Sequence, residues 1–322
     1  MLRFTLLACL PLLLPFSAAI AQSDPQAVAM LQRVQVATQK LSYAGTFVHQ
    51  HGDQMETSSV FRHVGASGRQ ERLESLSGPV REIIRTRDQV TCYLPESKTV
   101  RIDRQIADRS FPAILPGQIR ELSENYQVRK GEAERVAGYE CQVIVLVPKD
   151  RSRYGHKLWA DTSTGMLLKA RTFDERGNAI ETFEFTQLRI GGVDFAQLKS
   201  RFSPKAKDWQ VEDSLAQDAN LLEAGWGIKS SLPGFRKIGE MRRNLGNTPG
   251  VGHIVLSDGL AAVSVFIEPW ASRPEAVNGV ARQGATNVYS RRLGDHRITV
   301  VGDTPSDSVK YFANAIEYRK PQ

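Results

Sequence analysis

Leu41 to Asp53 reads LSYAGTFVHQHGD, an extended run in which Tyr43, Gly45, Phe47 and His49 share one face while Ala44, Thr46, Val48 and Gln50 share the other. One face is aromatic. The run ends in a turn, and the length of that turn decides what the aromatic face meets. With His51 to Asp53 as a three-residue loop, Gln50 opposes Gln54, which sets Tyr43 across from Phe61, Phe47 across from Thr57 and His49 across from Met55. Tyr43, Phe47, Phe61 and Met55 then belong to one apolar wall. A two-residue loop shifts the register by one and separates the aromatics. The wall reads two ways: as the lining of a ligand cavity, or as core packed beneath a helix.

That helix precedes the strand. DPQAVAMLQRVQVATQKL offers Asp24 as a cap and Pro25 at the first helical position, with Ala27, Leu31, Val34, Thr38 and Leu41 at helical spacing. After the strand come further short runs, among them QMETSSVFRHV, REIIRTRDQVTCYLP, YECQVIVLVP and AIETFEFTQLRI, separated by turn residues. Connections this short favour antiparallel hairpins, because a parallel crossover needs a dozen or more residues. The expected fold is α+β, with a large, curled, unclosed antiparallel sheet and a helix or two against it.

A chain of 322 residues exceeds what one core comfortably organises. FSPKAKDWQVEDSLAQDANLLEAGWG loses strand periodicity and ends in glycines, so 205–225 reads as a connection between a domain at 22–204 and a smaller one at 226–322. Charge changes there too: residues 22–224 carry 28 Lys and Arg against 27 Asp and Glu, and residues 225–322 carry 13 against 8. Within the smaller domain, Ser257-Asp258-Gly259 signals a hairpin. A closing helix after Thr304-Pro305 carries Val309, Phe312, Ala313 and Ile316 on its expected buried face.

MLRFTLLACLPLLLPFSAAIAQ places Arg3 before an apolar run and closes on Ala19-Ile20-Ala21, the pattern of a secretory signal peptide over 1–21. No later apolar run approaches the ~20 residues that span a bilayer. The mature chain therefore reads as exported. It keeps Cys92 and Cys141, which suggest either one disulfide or two buried free thiols.

Chemistry-bearing motifs are missing from the sequence. His49, His51 and His63 lack a neighbouring ligand set for a metal, and there is no G-x-S-x-G, H-E-x-x-H or P-loop, so no catalytic residue, metal or cofactor is assigned. Basic residues alternate with acids instead of forming a nucleic-acid stripe.

Several longer phrases carry a resemblance. LSYAGTFVHQHGDQMETSSVFRH, ERLESLSGPVREIIR, RVAGYECQVIVLVPKDRSRYGHKLWADTSTGMLLKARTFDERGNAIETFEFTQL, GWGIKSSLPGFRK and VGHIVLSDGLAAVSVFIEP resemble the MucB/RseB family, and more closely its alginate-regulating MucB branch. The resemblance implies an N-terminal half-barrel similar to the lipoprotein carriers LolA and LolB, joined to a smaller α+β domain, in the periplasm. It further implies a protein that binds the periplasmic part of a membrane anti-sigma factor (MucA/RseA), shields it from a site-1 protease, and is released by a lipid or lipopolysaccharide fragment. The competing reading is a periplasmic carrier of lipid or lipoprotein, which needs only the half-barrel. Homo-oligomerisation stays open. On the partner-binding reading, the basic excess of the second domain supplies a surface: Arg236, Lys237, Arg242, Arg243, Arg291 and Arg292 fall on two strand segments and are expected to steer an acidic partner segment.

Overall fold

A computed structural model describes residues 23–66, 68–104, 119–214, 216–246, 248–270 and 279–320. The signal peptide read over 1–21, with Cys9, lies outside the described residues. Helix α1 (Pro25–Lys40) starts where Asp24 accepts hydrogen bonds from the amides of Gln26 and Ala27, and where Pro25 fills a position whose N–H has no helical partner. Its Ala27, Leu31 and Val34 are buried with Ile144, Leu158 and Leu167 of the sheet in one core.

Six strands follow in hairpin succession: β1 (Tyr43–His51), β2 (Gln54–Gly65), β3 (Gly68–Ser75), β4 (Glu82–Arg85), β5 (Val90–Leu94) and β6 (Thr99–Asp103). The short helix α2 (Ile119–Asn125) leads to β7 (Tyr126–Val136), β8 (Tyr139–Pro148), β9 (Gly155–Asp161), β10 (Leu167–Phe173) and β11 (Ala179–Ile190). With β12 (Gln210–Ser214) they form one twelve-stranded sheet in the order β12-β6-β5-β4-β3-β2-β1-β11-β10-β9-β8-β7. The sheet is unclosed, since β12 and β7 stand at its two ends. Every pairing is antiparallel except β12 on β6, as the short connections require.

The β1–β2 turn is two residues long. His51 pairs with Gln54, Phe47 with Ser58 and Tyr43 with Arg62, one position away from the three-residue register. Gly52 at φ +60° takes the first turn position, which suits the tight turns that match strand twist. Phe61 consequently opposes Ala44 and Met55 opposes Gln50, so both leave the face of Tyr43 and Phe47.

The chain passes from one sheet to the other within 205–225, and this stretch contributes a strand to each. β12 extends the large sheet, and β13 (Ala216–Asp218) immediately begins a second one on β15 (Arg236–Leu245). The second sheet adds β16 (Thr248–Ser257), β17 (Ala262–Pro269), β18 (Gly279–Gln283), β19 (Thr286–Leu293) and β20 (His296–Gly302), in the order β13-β15-β16-β17-β20-β19-β18. Helix α3 (Ser306–Ala315) buries Val309 and Phe312 in a core with Val263, Val265, Ile298 and Val300. β14 (Trp226–Ile228) and β21 (Ile316–Tyr318) pair beside it.

Cys92 on β5 and Cys141 on β8 are free, which corrects the disulfide reading. Eight strand steps separate the two strands in the sheet order, whereas a bridge needs Cα atoms within ~7 Å. Burial pushes the Cys92 thiol above its ordinary value and the Cys141 thiol up to about 12. In native, unreduced protein, alkylation followed by mass mapping is expected to label half-buried Cys92 slowly and Cys141 only after unfolding. A Cys92–Cys141 cross-linked peptide would contradict this arrangement.

Candidate functional site

Directly opposed residues of neighbouring strands share a face, so the ladder registers can be followed across the sheet. Val60 opposes Leu73, Leu73 opposes Ile83, and Ile83 opposes Cys92. This apolar row continues into Arg101 and Glu212, which form an ion pair at 2.7 Å. Val60 is fully buried, while Leu73, Ile83 and Cys92 are half-buried.

Three cavities open along the same face. One of about 140 Å³ is lined by Phe47, Ser58, Leu73 and Ile83, with His49, Glu56 and Arg81 beside them. A second, of about 540 Å³, is lined by Val90, Cys92 and Arg101 of the large sheet and by Arg243, Asn244 and Leu245 of the second domain. The third, of about 630 Å³, gathers Val64, Arg69, Arg85 and Arg87. Ile83 and Cys92 connect the first two, so an apolar path runs from the sheet interior into a cleft that both domains line.

A buried ion group anchors the other end of this face. Glu71 accepts from Arg85 at 2.8 Å and lies 3.6 Å from Arg62. Arg62 also donates to the Thr38 carbonyl in the last turn of α1 and sits 5.7 Å from the centre of the Tyr43 ring. Burial, reinforced by the Glu71 charge, holds the Tyr43 hydroxyl well above the ordinary phenol range. These groups tie the helix to the sheet.

Of the four residues expected to form an apolar wall, Phe47 alone lines one of these three cavities. Tyr43 and Phe47 are 1% and 5% exposed and pack on Phe183 and Phe185, with ring centres 5.1 to 6.0 Å apart. Phe61 lies on the opposite face under the Arg72 guanidinium, and Met55 is 63% exposed. Leu73, Ile83 and Cys92 carry the row instead. Their strands are legible in the sequence, but their shared face depends on the register of four successive ladders.

The expected basic surface is dispersed. β15 and β19 are separated by β16, β17 and β20. Arg242 donates to the Gly250 carbonyl, and Arg243 pairs with Asp103 at 2.9 Å. Arg291 donates to the Ala313 and Ile316 carbonyls, while Arg292 lies 3.7 Å from Asp295 and over the Trp270 ring. Arg236 opposes Ser257 at the far end of β15. Local acceptors hold Arg242, Arg243, Arg291 and Arg292 where the sequence suggested a shared patch.

Among the described residues, no group of three or more His, Cys, Asp or Glu side chains converges to hold a metal. His49 bonds Glu181 at 2.8 Å, with His51 next to it. His156 has Nδ1 3.3 Å from Thr172 Oγ1 and a buried Nε2 without a hydrogen-bond partner. Burial lowers its pKa from 6.5 to about 4.

The sequence matches the MucB/RseB N-terminal domain over residues 26–210 and the MucB/RseB C-terminal domain over 220–317. The chain belongs to the MucB/RseB family. Among its relatives, the sigma factor AlgU regulatory protein MucB of Pseudomonas aeruginosa is 31% identical over 294 residues, 89% of each chain. The sigma-E factor regulatory protein RseB of Escherichia coli K12 is 25% identical over 316 residues, 94% of each. Two solved structures share the architecture: MucB in complex with MucA(peri), with a TM-score of 0.69 and 28% identity, and the Pseudomonas aeruginosa MucA/MucB complex, with 0.71 and 27%. Each covers 91% of this chain and 99% of its own. MucB/RseB architecture thus embraces both sheets.

Two outcomes follow from the packing. Phe47→Ala should cost ~3–5 kcal/mol in urea unfolding and Met55→Ala within ~0.5 kcal/mol; equal, small losses would return Phe47 to an open wall. Because the fold favours neutral His156, its contribution is complete above its unfolded pKa of 6.5 and is lost as pH falls toward 4. His156→Gln should therefore flatten the fall in denaturation midpoint between pH 7 and pH 4.5, and an unchanged slope would clear His156 of that role.

Proposed function

We propose that this chain is an exported, periplasmic negative regulator of a sigma factor, acting by binding the periplasmic part of a membrane anti-sigma factor of the MucA/RseA kind. The observation that carries the reading is the apolar row Val60, Leu73, Ile83 and Cys92, which opens into a cleft lined by both domains. A carrier of lipid or lipoprotein would use the large sheet alone. Residues of the second domain in the cleft favour a macromolecular partner, as does the presence of MucA in two solved complexes of MucB, each covering 91% of the chain.

On this reading, an extended partner segment seated in the cleft is withheld from a protease, because a protease must itself take that backbone into its own site. A lipid or lipopolysaccharide fragment releases the partner by entering the same row. Burying about five methylenes contributes ~4 kcal/mol, roughly a thousandfold in affinity, which is enough to displace a moderate binder. The protein supplies no reacting group; it works by occupancy.

Cys92 reports on both ligands. A periplasmic peptide of the anti-sigma factor, and separately an acylated probe, should each slow Cys92 alkylation, and the probe should lower peptide affinity in a titration. Ile83→Asp should weaken both while the far-ultraviolet spectrum stays native. Protection by the acylated probe with no peptide binding at any concentration would favour the carrier, and no protection by either would remove the row as a site.

A further inference from the structure

The loop between β8 and β9 leaves the large sheet and buries itself in the second domain. Arg153, 1% exposed, donates from Nη1 to Asp258 Oδ2 at 2.6 Å and from Nη2 to the Pro233 carbonyl at 2.6 Å. Its other bonds go to Asp150 at 3.0 and 3.1 Å, and its guanidinium lies between the Tyr126 and Phe235 rings. Asp258 is equally complete. Its Oδ1 accepts from the amides of Leu260 and Ala261, and its Oδ2 accepts from Arg153 and from the Tyr126 hydroxyl at 3.2 Å. Asn125 donates to the Asp258 carbonyl, and a Cβ on Gly234 would fall 2.2 Å from Asn125 Oδ1, so the two domains meet there backbone to side chain.

Asp258 follows the last residue of β16. At the opposite end of that strand, ten residues and ~30 Å away, the chain crosses between domains from β12 on β6 to β13 on β15. The residues flanking Arg153 add two more contacts, Asn287 donating to the Tyr154 hydroxyl and Ser308 to the Ser152 carbonyl, each at 2.9 Å. Away from this loop the domains touch through exposed or half-exposed groups, among them Arg243 with Asp103 and Gln283 with Gln54. Pairs of that kind hold an orientation weakly. A rotation of ~10° about the crossing moves the far end of a ~30 Å lever by ~5 Å, so orientation is governed where the β8–β9 loop meets the second domain, with Arg153 and Asp258 as its charged centre.

We propose that Arg153 and Asp258 are positioning residues: a buried latch that stops the second domain from turning about the crossing between Ser214 and Ala216, and thereby sets the angle between the two walls of the inter-domain cleft, which adjoin that crossing, without touching what binds in it. Seating of a partner in that cleft rests on the function proposed above. The latch itself does not, and the two fail separately.

The test uses the full mature chain carrying Cys92→Ser, Arg176→Cys and Asp307→Cys, spin-labelled at the two exposed new cysteines, alone and with Arg153→Met or Asp258→Asn. Cys141 remains the reporter of folding, since it labels only on unfolding. Asp258→Asn keeps an oxygen for the Leu260 and Ala261 amides and leaves Arg153 paired with Asp150, so it stays informative where Arg153→Met does not fold. The latched chain should give one narrow distance, and the variants a distribution broadened by ~5 Å or more, matched by expansion in small-angle scattering. Anti-sigma peptide should bind the variants at least tenfold more weakly, because only part of the ensemble keeps the cleft. A folded Asp258→Asn chain with the narrow distance unchanged overturns the latch. A broadened distance with unchanged peptide affinity keeps the latch and overturns its positioning role.

Discussion

A strand has a period of two, so one residue in a turn decides the fate of every side chain beyond it. Here that residue is the one absent from the β1–β2 turn. With Gly52 and Asp53 alone between the strands, Val60 joins the face of Tyr43 and Phe47, while Phe61 is sent to the other side. Each later ladder inherits the choice, from Leu73 through Ile83 to Cys92. A three-residue turn would have placed Ser59, Glu74, Glu82 and Tyr93 on that face in their stead, and a row of carboxylates cannot receive an apolar ligand. Gly52 at φ +60° is therefore the smallest feature on which the recess depends.

The other face of those strands is covered by the chain itself. After β11 the backbone returns across β2, β3 and β4, where Arg72 donates to Glu82, to Glu74 and to the Gln197 carbonyl, and Phe195 packs on His63. These buried carboxylates and guanidinium groups find partners, which is what burial demands of them. One face is thereby spent on holding the return segment, and the other is left with half-buried apolar side chains and cavities. Such a division gives a wide, unclosed sheet both stability and somewhere to bind.

Much of this was legible in the sequence. Asp24-Pro25 and the spacing of Ala27, Leu31 and Val34 announced α1; short turn-separated runs announced an antiparallel sheet; Ser257-Asp258-Gly259 announced the β16–β17 turn; and the long phrases pointed to the MucB/RseB family. The candidate site was not. Phe61 and Met55 were placed by a loop one residue too long, although a Gly at the head of a two-residue turn was visible in HGDQ. Cys92 and Cys141 looked like a pair because residue counts carry no strand order. The arginines looked like a patch for a similar reason: sequence adjacency on β15 and β19 says nothing about three intervening strands. Long-range register, more than local propensity, is what the sequence withholds.

The recess and the inter-domain contact are best understood together. Cys92 belongs to the apolar row and to the lining of the cleft, so whatever fills the row far enough to reach β5 also intrudes on the space shared with Arg243 and Leu245. Two ligands need not share a binding mode to exclude one another there; they need only share Cys92. A cleft of about 540 Å³ bounded by two domains keeps that shared volume only while the domains keep their angle. The row is fixed by the hydrogen-bond ladders of one sheet, whereas the opposing wall is held at a distance, where the β8–β9 loop meets Asp258 at the far end of β16 together with Asn287 and Ser308. On the function proposed above, competition between ligands is a property of a place where two independently determined surfaces meet, and its strength depends on how firmly the second surface is held.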